Sequence, residues 1–180
     1  FDLALAAEQE VWRIAQSEAW HSWRPFPLTT IAWVYQLTQR SDLARETLYQ
    51  LSAVIAPDTL HQGYHDYLLA SVDQDEGHYA DACQRLIQAR STAEAIGEPG
   101  LSVHVRLGLS RHERAARKFA EARHWADDAV DRATRSGIRT QRTPSGGGFN
   151  ELYFEDAKGT ERVFLRAERE YSAHNFEHAD

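Results

Sequence analysis

An alanine returns at nearly constant intervals along this chain, and the interval limits what the chain can become. Ala4, Ala44, Ala82 and Ala122 stand 40, 38 and 40 residues apart, and Ala179 follows after 57. An aromatic residue sits three positions ahead in Phe1-Asp2-Leu3-Ala4, Tyr79-Ala80-Asp81-Ala82, Phe119-Ala120-Glu121-Ala122 and Phe176-Glu177-His178-Ala179. Ser41-Asp42-Leu43-Ala44 repeats the step without the aromatic. A period of this size belongs to architectures in which one small unit cannot bury its apolar side alone and stacks on the next.

Between the alanines the apolar residues keep helical spacing. Ile31, Val34, Tyr35 and Thr38 form one stripe, and Leu43, Thr47, Leu48, Leu51 and Ile55 form another that Pro57 closes. Leu68, Leu69 and Val72 lead to the polar break Glu76-Gly77-His78, and Ala82, Leu86, Ala89 and Ala93 run to Gly97-Glu98-Pro99-Gly100. Leu101 to Leu109 opens a further helix, and Phe119, Ala122, Ala126, Ala129 and Val130 continue to Gly137. Valine and isoleucine never alternate through this stretch as a half-buried strand requires. The expectation is an all-α chain of antiparallel helix pairs with short joints. One helical-repeat domain would fill residues 1–180, with repeats at 26–59, 61–98 and 101–137 and partial ones at 1–23 and 160–180.

Residues 138–159 read as an insertion before the last repeat. Thr143-Pro144-Ser145-Gly146-Gly147-Gly148 is a loop by composition. Phe149 to Phe154 is either a short helix capped by Asn150 or one arm of a small hairpin, and the helix is preferred. Thr160 to His174 reads as the first helix of a further repeat, with Thr160 as its N-cap.

The aromatic-x-x-Ala step resembles the start of the second helix of a tetratricopeptide (TPR) repeat. That family places apolar residues four and seven positions further on, where this chain has Glu8/Val11, Leu48/Leu51, Leu86/Ala89 and Ala126/Ala129. Twelve residues before each alanine the family has a small residue, matched here by Ala32, Ala70, Ser110 and Ala167. The chain departs from the usual period of about 34 residues, lacks the Trp…Leu-Gly pair and carries Glu8. Its lengthened repeats are more similar to those of bacterial regulatory proteins. The resemblance implies a right-handed superhelical α-solenoid that holds a peptide or protein segment in a concave groove. It further implies the sensory or oligomerising part of a cytoplasmic transcriptional regulator or signalling protein, with a homodimer as one partner arrangement. On that reading the groove is lined by Trp33, Gln36, Tyr64, Tyr67, Ser71, Gln74, His104, Arg111, Arg114 and Tyr171. Aromatic and arginine side chains of this kind supply large contact area with a directed polar tip.

Charge narrows the partners. The chain has 20 Lys+Arg against 27 Asp+Glu, a formal −7. Residues 102–142 hold ten of those cations and five acids, so a basic third repeat sits in an acidic remainder. An acidic peptide or protein segment suits it; nucleic acid does not, since no aromatics interleave the basic residues. No stretch approaches the 18 or so apolar residues of a membrane span.

Catalysis and metal binding have weaker signals. His61 and His65 are i, i+4 on one helix, yet Gln62 stands where zinc proteases carry glutamate, so no metal or other cofactor is expected. Cys83 beside a packing alanine reads as an inert thiol, and no local motif marks a nucleophile. The Gly-rich loop lacks the Lys-Ser/Thr of a phosphate-binding loop. The expectation is therefore a non-enzymatic module. Its alternative is a small-molecule- or metal-binding helical enzyme domain using Trp12, Trp20, Trp23 and Trp33 with His61/His65. A composition without methionine and an opening at Phe1 suggest a piece of something longer.

Overall fold

A computed structural model describes residues 1–17, 21–57, 59–137, 140–142, 149–154 and 163–168. Among these, seven α-helices come first: α1 Asp2–Ser17, α2 Pro25–Leu37, α3 Ser41–Ser52, α4 Leu60–Asp75, α5 Tyr79–Ile96, α6 Pro99–Ala115 and α7 Phe119–Arg135. A single 3-10 turn, His21–Trp23, lies between α1 and α2. Three strands follow: β1 Thr140–Arg142, β2 Phe149–Phe154 and β3 Val163–Glu168. The chain divides into two compact units, Phe1–Leu101 and Ser102–Asp180. No described helix is long and apolar enough to cross a membrane.

The joints between paired helices share one device. Gln39, Gly77 and Arg117 all take the left-handed conformation, at φ 58°, 83° and 61°. Each precedes a repeat alanine by five residues. The residue after each closes an i→i−5 bond: Arg40 N donates to Tyr35 O, His78 N to Asp73 O and Lys118 N to Glu113 O, at 2.7–2.9 Å. This is the helix-terminating turn that a left-handed residue allows. Only Gly77 adopts that conformation without the steric penalty of a Cβ.

Three alanines of the period, Ala44, Ala82 and Ala122, are buried, whereas Ala4 is exposed and Ala179 lies outside the described residues. Ala44 and Ala82 are fully buried, and so are Ala32 and Ala70, the small residues twelve positions earlier. In the second unit, Ser110 Oγ donates to Ala122 O at 2.7 Å, so the corresponding pair touches directly. In the first unit, α1 packs on α2, α2 on α3 and α4, α3 on α4, and α4 on α5. Leu28, Leu48, Leu51, Leu68, Leu86 and Leu101 fill the space between them. In the second unit, Val103, Ala129 and Ala133 form the core between α6 and α7, with Leu107 against it.

The all-helical expectation holds for the described residues up to Arg135 and fails for the described strands that follow. The preferred short helix over Phe149 to Phe154 is the strand β2. The helix expected over Thr160 to His174 is replaced, where it is described, by the strand β3. The sheet order is β1-β2-β3, antiparallel throughout. Six-residue segments carry too few turns for helical periodicity to decide their state, and cross-strand pairing decides it instead.

Candidate functional site

The residues expected to line a groove divide by burial. In the first unit Trp33 meets Tyr64 and Tyr67, with ring centroids 5.5 and 6.0 Å apart. Tyr67 and Ser71 are buried, while Trp33, Gln36, Tyr64 and Gln74 are half-buried. In the second unit His104 is buried, Arg111 half-buried and Arg114 exposed. Tyr171 lies outside the described residues. α4 explains the buried polar residues: it is packed by α2, α3 and α5, so His65, Asp66, Ser71 and Asp73 are enclosed along with its apolar side.

His61 and His65 are engaged separately. His61 Nδ1 is 3.1 Å from Thr29 Oγ1, its ring stands edge-on to Phe26 at 4.7 Å, and burial lowers its pKa. His65 Nδ1 lies 3.1 Å from Asp66 Oδ1, and Gln62 Nε2 donates to the same oxygen at 2.9 Å. Trp23 stacks at a tilt on Phe26, 5.8 Å away, and both remain more than half exposed.

Sequence reasoning missed an arginine–carboxylate network between α3, α4 and α5. Arg45 Nη2 donates to Asp73 Oδ1 and Glu76 Oε2, each at 2.7 Å, and Arg85 Nε donates to Asp73 Oδ2 at 2.8 Å. Asp73, Glu76 and His78 cluster closely enough to hold a cation. The two guanidiniums already neutralise those carboxylates, so the cluster serves as a clasp between helices.

The second unit buries ionisable groups of its own. Arg106 is almost wholly enclosed; its Nε donates to Asp128, and its Nη1 to the hydroxyl and carbonyl of Ser102 at 2.8 and 3.0 Å. Burial pushes the Asp128 carboxyl up. The bond from Arg106 and the charges of Arg106, Arg132 and His124 outweigh that and hold it below its ordinary range. Burial, and secondarily the charge of Arg111, lower His104 to about 3.

A pH dependence follows from His104. Its imidazole is neutral in the fold and accepts a proton near 6.5 once unfolded, so acid favours the unfolded chain. Stability contributed at neutral pH is lost as pH falls from about 6.5 toward 3, by up to about 1.4 kcal/mol per pH unit. Urea unfolding at pH 7 and pH 5 checks this: His104→Leu flattens the difference, and an unchanged slope would refute the assignment.

The sheet has a register that sorts its residues by face. β2 pairs β3 with Phe149 opposite Glu168, Asn150 opposite Ala167, Glu151 opposite Arg166, Leu152 opposite Leu165, Tyr153 opposite Phe164 and Phe154 opposite Val163. β1 pairs β2 with Thr140 opposite Leu152, Gln141 opposite Glu151 and Arg142 opposite Asn150. Directly opposed residues share a face, and faces alternate along each strand. One face therefore carries Thr140, Arg142, Asn150, Leu152, Phe154, Val163, Leu165 and Ala167. The other carries Gln141, Phe149, Glu151, Tyr153, Phe164, Arg166 and Glu168. The first face is apolar at five of its eight positions, and among the described residues no strand pairs with the outer edge of β3.

One comparison with known proteins falls on this same segment. Residues 136–177 match the model of the bacteriophage T4 gp5 C-terminal trimerisation domain. The type VI secretion system spike protein VgrG5 of Pseudomonas aeruginosa is 51% identical over 45 residues, a quarter of this chain but 6% of that protein. The spike protein VgrG4b of the same organism is 44% identical over 45 residues, 5% of its length. The chain thus spans about one-twentieth of the curated relatives it matches. The family matched is not a tetratricopeptide family, which overturns the resemblance drawn from the alanine step. With it go the transcriptional-regulator and signalling reading, the peptide groove as the chain's function, and the alternative of a metal- or small-molecule-binding enzyme domain. The matched trimerisation domain is a structural, non-enzymatic module, in agreement with the expectation that this is not an enzyme.

Proposed function

We propose that residues 136–177 hold three copies of this chain together as a spike-type trimerisation segment, and that residues 2–135 form a helical segment joined to it. The observation that carries this reading is the coincidence of the matched residues with the three strands. Physical chemistry supports it independently. The sheet has one face apolar at five of eight positions, and covering apolar surface is favourable. Strand β3 also leaves a hydrogen-bonding edge open among the described residues, and such an edge is a template for another chain. Identical copies supply both covers at once. The two P. aeruginosa relatives are spike proteins by name, and a spike role for this chain is carried over from them as part of the proposal. Self-association in threes replaces the expected homodimer.

Truncation separates the two parts. A chain ending at Gly137 retains the helical circular dichroism of α1–α7 and sediments as a monomer, whereas the 180-residue chain sediments as a trimer. A truncated chain that still forms the trimer would place the association in the helices and refute the proposal.

A further inference from the structure

We draw no further inference here: the strongest candidate, the exposed apolar patch of Leu3 and Val11 on α1 with Phe1 just before them, carries nothing because nothing in the structure shows what covers it.

Discussion

Replacing Leu165 by aspartate will reduce the particle from three chains to one. Leu165 lies opposite Leu152 in the middle row of the apolar face. In an assembly that buries this face, the substitution places three carboxylates where three leucines were. Each would lose its hydration without gaining a partner, at several kcal/mol, and the three repel one another. Arg166→Ala, one residue along on the opposite face, tests whether position rather than mere substitution matters. It removes a charge opposite Glu151 in the register, on the face that the proposed interface does not use, and should leave the mass unchanged. Circular dichroism guards against a trivial outcome, because the helices over residues 2–135 should keep their signal in both variants. If Leu165→Asp remains trimeric by sedimentation, the apolar face is not the interface.

The second large effect is expected at Asp128. Asp128→Ala takes from the enclosed Arg106 its carboxylate partner and leaves it the neutral Ser102 hydroxyl and carbonyl among its contacts. Removing one partner of a buried pair strands the other charge, and about 3 kcal/mol of the unit's stability is lost. The pair itself is worth much less than that figure suggests. Replacing Arg106 by methionine and Asp128 by alanine together should recover most of the loss, because no charge then remains to be solvated. Arg106→Met alone should cost less than Asp128→Ala, because Arg132 still faces the carboxylate, 3.7 Å away. Urea midpoints of the three variants decide the matter. Equal destabilisation by all three would show that packing, not a stranded charge, governs the site.

Much of the helical segment was legible because its signals are local. The repeat alanines announce buried positions: Ala44, Ala82 and Ala122 are all buried, as are Ala32 and Ala70 twelve positions earlier, and Ser110 bonds Ala122 directly. Gly77 announces its turn. The equivalent left-handed residues Gln39 and Arg117 do not, because neither is a residue that prefers that conformation. α4 was only partly legible for a different reason. Its mixture of tyrosine, serine and amides suggested an exposed lining, yet neighbours on several sides bury Tyr67, Ser71 and Asp73. The polar groups are retained inside by partners such as Arg45 and Arg85, which come from other helices and leave no trace in the local pattern.

The strands were misread where local spacing is ambiguous. Phe164, Ala167, Glu168 and Tyr171 fall at three- and four-residue intervals, and Thr160 offers a plausible cap, so a helix was the economical reading. What decides otherwise is the matching of Val163–Glu168 with Phe149–Phe154, where Leu meets Leu, Glu meets Arg and aromatic meets aromatic. That match spans a loop and becomes visible only once the register is known. The functional consequence was hidden with it. A regular helical segment drew attention to its own surface, while the short segment that matches a trimerisation domain was read as an insertion and part of a further repeat.

The mass of the intact chain tests the proposed trimer most directly. Sedimentation equilibrium across a range of concentrations should give three times the 20.5 kDa of a single chain, with no stable dimer on the way. A mass of one chain or of two, unchanged across that range, would contradict it.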